Sequence, residues 1–513
     1  MLKLLSYNHL FTYALLFVAT FALRAPSFHP DYFQEDESFY LVAAERIVDG
    51  GAQYVDTWDN KPPLIVWVYS FFVWVFGPFA LLAIRIFTCL YLFLSALYLN
   101  QFVNDNRLLR SFSLLPAFLL IFLSSVPWYA QELNGEILMN FPIIFGVVQL
   151  LRLKERSVKN FGYLFLGGIL LGLAFMVKYQ GILLFAGLVA AYFSIQTPRL
   201  SETFSFFMGF GMAVIVVLLA VYFTGALEAF WDVGVVYNLD YIRLGRNPGE
   251  EVSFWFNLGQ YGQLWGMFLI LGLIGLANFR LNYFTNSIRL RKVETVTLFW
   301  FSAAMLTIII GGGRLYLHYF YLLVPPLAIY ISKTVELKLR PIIRNLVLFL
   351  AFLIPMYTYG VFLASAFEDE FSFIDPYISE NGWIEGFRKT LNDPHPLTDK
   401  IEPSEVENGI LVLAYEPTIY TRLDFTCATK YTNFSIANFK MEFFEEHEEV
   451  GLISATEHTR DVYLSLKADM PDCFVDPQGL FPVMQENMPL LLKNYKGEIV
   501  DEGSRSYYIY KRQ

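Results

Sequence analysis

Long apolar segments fill the first 366 residues of the chain, and they set the narrowest limits on its fold. A helix that spans a bilayer needs about 20 apolar residues. Candidate spans lie at 6–25, 79–103, 108–128, 134–151, 160–177, 180–196, 203–225, 255–278, 296–312, 315–332 and 343–366. A shorter apolar stretch, 62–76, begins with two prolines and predicts a helix that lies at the interface or re-enters the membrane. The pattern predicts a polytopic α-helical membrane protein with about 11 spans, within a range of 11–13.

The composition supports this prediction and divides the chain in two. Hydrophobic side chains make up 56% of the 513 residues and charged ones only 16%, which is too apolar for an ordinary water-soluble protein. Acidic residues, Lys and Asn reach ordinary densities only after residue 366, which predicts a membrane domain at 1–366 and a soluble domain at 367–513. The net charge of -10 argues against nucleic acid as a partner, because a phosphate backbone requires a basic surface.

The loops between the spans indicate the orientation. If the N-terminus is cytoplasmic, the cytoplasmic loops hold most of the Lys and Arg residues of the membrane domain, as the positive-inside bias requires. An odd number of spans then places the first loop, 26–78, and the soluble domain on the outer side. The cations left outside need another explanation. For Arg24 and Arg46 we expect pairing with carboxylates or snorkelling to the interface.

The soluble domain is predicted to be a small α/β domain, with a parallel sheet as one possibility. Strand character is found at 409–415, 462–468 and 506–512, and a short helix interrupted by Pro489 is expected within 482–492. Two of the three cysteines, Cys427 and Cys473, belong to this domain. Outside the cytoplasm they can form a disulfide, and the alternative is two buried free thiols.

The first loop concentrates charge in an otherwise apolar domain. Its charged candidates are Glu35, Asp36, Glu37, Asp56, Asp59 and Lys61. Apolar residues at helical spacing over 38–48, followed by Asp49-Gly50-Gly51, predict a short helix with Asp36 and Glu37 in its first turn. One carboxylate would be enough to cap that helix. The additional charges indicate chemistry, since a carboxylate can act as a general base or metal ligand and a Lys can hold a phosphate oxygen.

Further candidates lie at the outer ends of later spans. Lys178 and Arg314 each border an apolar segment, where a cation indicates an anionic ligand. Glu136 is either a second catalytic carboxylate, a metal ligand or a boundary charge. His318, one turn after Arg314, either contacts phosphate or is a buried imidazole. The loop 228–253 carries aromatic and amide side chains that suit sugar binding, although such residues also populate ordinary membrane interfaces.

The first-loop pattern D-E-x-x-Y-x-x-x-A, followed by G-G and Y-x-D-x-W-D-x-K-P-P-L, resembles a known family. It is similar to the first outer loop of bacterial members of the dolichyl-phosphate-mannose protein O-mannosyltransferase family, which is related to lipid A aminoarabinose transferases. N-G-E at 134–136, K-Y-Q-G at 178–181 and R-L-Y-L-H-Y-F at 314–320 resemble further motifs of that family. The similarity covers roughly residues 5–335.

The resemblance implies a type C glycosyltransferase (GT-C fold) in the bacterial inner membrane, with a periplasmic C-terminal domain and a polyprenyl-phosphate-linked sugar as donor. Asp36 matches the catalytic aspartate, Glu37 would support it, and Lys61 matches the lysine near the lipid phosphate. Further phosphate contacts are expected at Lys178, Arg314 and His318, with Tyr40, Asp59, Asn60 and Glu136 in support. Aminoarabinose transferases carry a metal-binding Glu where this chain has Asn60, so a divalent metal would depend on Asp59 or Glu136.

The expected activity is an inverting transfer of the sugar to a hydroxyl of a glycan, lipid or protein at the outer face of the membrane. A transporter or flippase for lipid-linked sugars is the main alternative, because it would share the spans and the cationic lipid site. Transporters place ionisable residues near the bilayer midplane, whereas the candidates here lie near the outer surface. A third possibility is a non-catalytic subunit of cell-envelope assembly.

Overall fold

The computed structural model describes most of the membrane domain and part of the C-terminal domain. The described residues are 7–28, 35–109, 113–125, 131–153, 157, 159–197, 199–239, 265–266, 268–280, 287–310, 316–335, 349, 353, 397, 400–401, 405–413, 418–423, 425–431, 445–447, 451–453, 457–477, 479–502 and 505–513. The domain boundary predicted at 366/367 and nearly all of the predicted span at 343–366 lie outside them.

Helices form the described part of the membrane domain. They are α1 Tyr7–Leu23, α2 Glu35–Val48, α3 Leu64–Phe76, α4 Ala80–Asp105, α5 Leu115–Leu123, α6 Gly135–Leu151, α7 Lys159–Val177, α8 Gly181–Ile195, α9 Leu200–Phe223, α10 Phe268–Arg280, α11 Ile288–Ile310 and α12 Val324–Val335. A π-helical segment, Phe230–Val236, follows α9, and a 3-10 segment, Leu317–Leu322, precedes α12.

Helical segments occupy the predicted spans wherever the chain is described. Four of them are long and apolar enough to cross a membrane: Leu64–Asp105, Lys159–Val177, Leu200–Phe223 and Ile288–Ile310. Shorter apolar helices cover Leu10–Leu23, Gly135–Leu151, Gly181–Ile195 and Phe268–Arg280. The helical character of the predicted spans is therefore confirmed wherever they are described, and the number of spans and their placement in a membrane stay predictions.

The predicted short helix at 62–76 is α3, and it runs into α4 through a single tight turn. Gly77 supplies that turn with a φ of 52°, in the left-handed region that favours glycine. A Cβ at Gly77 would meet no atom within 4 Å, so only backbone conformation argues for glycine here. On α3, Tyr69 is buried whereas Trp74 is 73% exposed, so one face packs on the protein and the other is open to the surroundings.

Helices α7 and α9 approach each other closely through glycines. A Cβ at Gly168 would lie 2.2 Å from the Phe206 carbonyl oxygen, and one at Gly209 would lie 2.1 Å from that of Phe165. Small residues of this kind let two backbones meet, which is how apolar helices gain packing energy without a hydrophobic driving force between them.

A buried ion pair fixes α2 against α4. Arg85 is 1% exposed and its Nη2 lies 2.8 Å from Oε2 of the fully buried Glu37. The same guanidinium donates to the backbone carbonyl of Ser27. Arg85 thus holds both sides of the connection that leads into α2, and Glu37 faces the helix bundle.

The C-terminal domain contains a mixed four-stranded sheet. Its strands, with a separate β2–β3 hairpin, are β1 Ile410–Val412, β2 Glu445–His447, β3 Gly451–Ile453, β4 Cys473–Asp476, β5 Tyr495–Glu502 and β6 Arg505–Arg512. The order is β1-β4-β6-β5; β1 pairs parallel with β4, and the other pairs are antiparallel. The helices are α13 Thr418–Leu423, α14 Glu457–Ala468, α15 Phe481–Asn487 and α16 Pro489–Leu492. The sheet is therefore mixed, not purely parallel.

The strand predicted at 462–468 is wrong, because this segment belongs to α14. Val462, Tyr463 and Leu466 are buried, whereas Leu464 is 53% exposed. That burial follows a helical period and not the alternation of a strand. The strands predicted at 409–415 and 506–512 are confirmed by β1 and β6, and Pro489 begins a second short helix as expected.

The disulfide predicted as one alternative for Cys427 and Cys473 is not formed, and both are buried free thiols. The reason lies in the sheet register, because both cysteines pair with Ile410, from opposite sides. Two inter-strand spacings separate them by about 9.6 Å. Two Cys whose Cα atoms are more than about 7 Å apart cannot be bridged without backbone movement.

We predict that Glu37→Gln destabilises the protein by about 3–5 kcal/mol, because it leaves the Arg85 guanidinium buried without its counter-charge. Thermal unfolding of the detergent-solubilised full chain measures this. The matched control is Glu405→Gln, which breaks the exposed Lys511–Glu405 pair and should cost less than about 1 kcal/mol. Equal losses for both variants would contradict the anchoring role of the buried pair.

Candidate active site

The first turn of α2 and the end of the first loop bring Asp36 and Lys61 together. The Lys61 ammonium lies 3.1 Å from Asp36 Oδ1, and the two side chains are 21% and 18% exposed. The same ammonium lies over the Tyr40 ring, 4.5 Å from its centroid. A carboxylate and a cation are therefore paired in a position that is partly exposed.

Hydrogen bonds fix the backbone around Lys61. The Tyr54 hydroxyl donates to the Lys61 carbonyl at 2.7 Å, and the Lys61 amide donates to Asp59 Oδ1 at 3.0 Å. Asn238, just after the π-helical segment, donates to the Asn60 carbonyl. The predicted supporting residue Asn60 thus acts through its backbone, and its neighbours hold Lys61 in place.

Asp59 is buried, and its carboxyl accepts the two hydrogen bonds described next. Its Oδ2 accepts a hydrogen bond of 3.0 Å from Gln53 Nε2, while Oδ1 accepts from the Lys61 amide. Burial raises the pKa of Asp59 from 3.8 to about 6, against the lowering effect of Lys61 and of these hydrogen bonds. For Lys61, burial lowers the pKa, but the carboxylates of Asp36 and Asp59 outweigh it and raise the pKa above its ordinary value.

A second ion pair, Lys178 with Glu136, lies at the adjoining helix ends. Asn134 caps α6 by accepting a 2.9 Å hydrogen bond from the Ile137 amide, which places Glu136 in the first turn. Lys178, just beyond α7, is bonded to Glu136 Oε1 and lies 5.0 Å from the Tyr319 ring centroid. Glu136 is fully buried and Lys178 is 13% exposed.

His318 belongs to the same neighbourhood. Its ring lies 4.8 Å from that of Tyr319, the ring beneath the Lys178 ammonium. Electrostatic interactions connect it with Lys178, Glu136, Asp36 and Lys61. The structure thus brings nearly all the predicted site residues into one region, although Glu37 turns away to Arg85. Arg314 lies outside the described residues.

Glu132 is a member of this region that sequence reasoning missed. It is 3% exposed, and within the described part of the chain its Oε2 has no hydrogen-bond partner. Burial raises the pKa of Glu132 well above its ordinary value, and the charges of Asp36 and Glu37 raise it further. A signal existed, because Glu132 stands four residues before Glu136 in a segment with few other charges.

The described hydrogen bonds of Arg24 and Arg46 are made to backbone carbonyls. Arg24 is fully buried and donates to the backbone carbonyls of Ser124, Gln131 and Glu132, at 3.2, 2.6 and 3.4 Å. Arg46 likewise donates to backbone carbonyls. These contacts fix chain segments around the site, and the expected pairing with carboxylates or snorkelling to the interface stays a prediction.

The metal site considered for Asp59 and Glu136 does not fit the described residues, which contain no group of three or more His, Cys, Asp or Glu side chains able to hold an ion. The Asp59 carboxyl already accepts hydrogen bonds from Gln53 and the Lys61 amide, and Glu136 Oε1 accepts one from Lys178. Divalent cations such as Ca²⁺ take six or more oxygen ligands, and Mg²⁺ requires octahedral geometry.

The aromatic loop predicted at 228–253 is described only up to residue 239. Trp231 is 60% exposed, whereas the Tyr237 ring packs against Trp58 with centroids 4.7 Å apart. Together with Asn238, this part of the loop supports the first loop. Its predicted role in sugar binding stays a prediction.

No protein-family model and no curated protein matches this chain. Solved structures do share its fold. The apo oligosaccharyltransferase of Archaeoglobus fulgidus gives a TM-score of 0.53 at 13% identity, over 99% of this chain and 75% of that one. The same organism's oligosaccharyltransferase AglB, in complex with an inhibitory peptide and a dolichol-phosphate, gives 0.52 at 13% identity, over 99% and 74%. ArnT from Cupriavidus metallidurans, bound to undecaprenyl phosphate, gives 0.53 at 13% identity, over 97% of both chains.

These likenesses confirm the predicted fold class at the level of a helical GT-C-type membrane domain with a small C-terminal sheet. At such low identity they show the fold alone. Which residues act, and on what, is a matter for proposal.

We predict that Asp59→Asn stabilises the protein increasingly as the pH rises from 4 to 7. Folding raises the pKa of this carboxyl from 3.8 to about 6, so its protonation stabilises the folded state. That stabilisation is fully present below pH 3.8 and is lost as the pH rises through 6. The change amounts to about 3 kcal/mol. An amide can keep the bond from the Lys61 amide and, after rotation of the Gln53 amide, donate to the otherwise unpaired Gln53 Oε1.

Melting temperatures of wild type and Asp59→Asn, compared at pH 4, 5, 6 and 7, test this prediction. A difference between the two that stays constant with pH would show that Asp59 does not titrate in this range.

Proposed function

We propose that this protein is a glycosyltransferase that moves a sugar from a polyprenyl-phosphate donor to an acceptor hydroxyl. The observation that carries the proposal is the partly exposed pair of Asp36 and Lys61, whose atoms lie 3.1 Å apart. Sugar transfer needs one group to remove a proton and another to stabilise a departing phosphate. A carboxylate and an ammonium side by side provide both.

In the proposed reaction, Asp36 accepts the proton of the acceptor hydroxyl. The oxygen then forms a bond to the anomeric carbon of the sugar. The bond between that carbon and the phosphate oxygen breaks, and its electron pair leaves with the polyprenyl phosphate. Lys61 stabilises the negative charge of this leaving group. A single displacement of this kind inverts the configuration at the anomeric carbon.

Before the donor binds, Asp36 and Lys61 neutralise each other. A donor phosphate that takes the Lys61 ammonium would release Asp36 from its counter-ion. A carboxylate that loses a neighbouring cation becomes a stronger base, because the cation had stabilised its charged form. Donor binding would therefore prepare the base at the moment when an acceptor can react.

Lys178 and His318 are the candidates for further contacts with the phosphate. The Lys178 ammonium lies beside the Tyr319 ring and is 13% exposed, and His318 interacts electrostatically with both Lys178 and Lys61. Arg314 remains a sequence-based candidate for the same role. Glu37, held by Arg85, would act by fixing the helix that carries Asp36.

The structures that share this fold support a lipid phosphate as ligand. One is an oligosaccharyltransferase in complex with a dolichol-phosphate, and the other is ArnT bound to undecaprenyl phosphate. We place the present chain in the bacterial inner membrane, with its N-terminus in the cytoplasm and the C-terminal domain from residue 367 in the periplasm. Its acceptor would be a glycan, lipid or protein hydroxyl.

We predict that Asp36→Asn lowers sugar transfer by about 10²–10⁴-fold, because an amide cannot accept the proton. The same variant should bind undecaprenyl phosphate at least as tightly as wild type, since the carboxylate that pairs with the Lys61 ammonium is then removed. Transfer is measured with radiolabelled polyprenyl-phosphate sugars and membrane acceptors, and binding with undecaprenyl phosphate alone. Equal transfer by variant and wild type would remove Asp36 from its proposed role.

Lys61→Ala should weaken binding of undecaprenyl phosphate by about 10–100-fold, as expected for loss of one hydrogen bond to a charged group. Lys400→Gln, which removes an exposed ammonium of the C-terminal domain, is the matched control and should bind as wild type does. Unchanged affinity in Lys61→Ala would refute the phosphate contact. Movement of labelled lipid across vesicles without any sugar transfer would favour the flippase alternative.

A further inference from the structure

The C-terminal domain packs directly on the first loop. Val42 of α2 and Trp58 of the first loop are buried in the same apolar cluster as Ile410, Leu466 and Phe474 of the C-terminal domain. The segment 427–431, whose carbonyls accept hydrogen bonds from Arg46 and Trp58, follows α13 and pairs with the start of β1 through Cys427. The core of the C-terminal domain therefore continues into the loop that carries Lys61.

Arg46 joins three parts of the chain through its guanidinium. It lies near the end of α2, the helix that carries Asp36 in its first turn. Its Nη2 donates to the Cys427 carbonyl at 2.6 Å, and its Nη1 donates to the Thr429 carbonyl. Nη1 also donates to the Asp56 carbonyl of the first loop at 3.0 Å. One side chain thus fixes α2, the first loop and the C-terminal domain relative to one another.

Trp58 makes the second connection. Its backbone amide donates to the Lys430 carbonyl at 2.8 Å. The centroid of its indole lies 6.2 Å from that of the Tyr431 ring and 4.7 Å from that of the Tyr237 ring. The residue is 7% exposed, so the contact is part of the packed core.

These contacts lie very close to Lys61. Trp58 precedes Lys61 by only three residues, so the two Cα atoms are at most about 11 Å apart. Asp59, between them, accepts a hydrogen bond from the Lys61 amide. The Tyr54 hydroxyl donates one to the Lys61 carbonyl. A displacement of Trp58 would therefore also displace Lys61, because the short, hydrogen-bonded segment between them cannot absorb it.

We propose that segment 427–431 of the C-terminal domain positions the turn 58–61, and that Arg46 is the positioning residue that connects them. The C-terminal domain then contributes to the site by determining the position at which the Lys61 ammonium contacts the donor phosphate. This inference rests on the proposed function of Lys61. Arg suits the role because its guanidinium presents five donors in a rigid planar fork, whereas a Lys ammonium has three donors on a flexible stem.

The test uses full-length protein in nanodiscs and compares wild type with Arg46→Gln, Arg46→Lys, Lys61→Ala and the control Lys400→Gln. Hydrogen exchange of peptides covering 52–61 and 425–431 reports the junction, and binding of undecaprenyl phosphate reports the site. Peptides from α7 and α9 report whether the helical bundle stays intact.

We expect Arg46→Gln to speed exchange in both junction peptides, to leave α7 and α9 unchanged, and to weaken phosphate binding about tenfold. Arg46→Lys should fall between Arg46→Gln and wild type, and Lys400→Gln should match wild type. A purely structural Arg46 would speed exchange but leave phosphate affinity unchanged, and that result would overturn the inference. Unchanged exchange in the junction peptides would overturn it too.

The same experiment separates this inference from the proposed function. If Lys61→Ala loses phosphate affinity and Arg46→Gln does not, the proposed function stands and the positioning role is refuted. If Lys61→Ala binds as wild type does, the phosphate role of Lys61 is refuted, and the positioning claim with it. General unfolding of Arg46→Gln, seen as faster exchange in α7 and α9 as well, would also count against a local positioning role.

Discussion

The need to neutralise charge at the edge of an apolar helix bundle governs the arrangement of this protein. Removing a charge from water is costly unless an opposite charge and hydrogen bonds replace the lost hydration. Around the first loop and the adjoining helix ends, three pairs among the described residues meet that requirement: Glu37 with Arg85, Asp36 with Lys61, and Glu136 with Lys178. The pairs differ in exposure. The first is fully buried and fixes a helix, whereas the Asp36–Lys61 pair is open enough to exchange partners, which suits a binding site.

Arginines make a second kind of connection, to backbone carbonyls. Arg24 holds the segment around Glu132, and Arg46 holds the junction between the first loop and the C-terminal domain. A carbonyl acceptor is fixed to the main chain, so such a bond positions a segment and not a flexible side chain. The two arginines thus hold different segments around the candidate site.

Local signals in the sequence predicted what local interactions decide. The helix at 35–48, its acidic first turn and its glycine stop are set by residues within a few positions of one another. The strand prediction at 462–468 failed because alternation and helical period overlap in so short a run, and only the buried face distinguishes them. Partners far apart in sequence, such as Glu37 with Arg85, follow from packing. Glu132 was missed for the same reason, since its importance comes from the charges that the fold places around it.

The distribution of roles follows from what each position can tolerate. A base and a phosphate-binding cation must remain free to change partners, so they cannot also supply the rigidity of the site. That rigidity comes from the groups around them: the buried Arg85, the carbonyl contacts of Arg46, and the packing of Trp58 against Tyr237 and Tyr431. The first loop can therefore hold a defined shape, because both the helix bundle and the C-terminal domain support it.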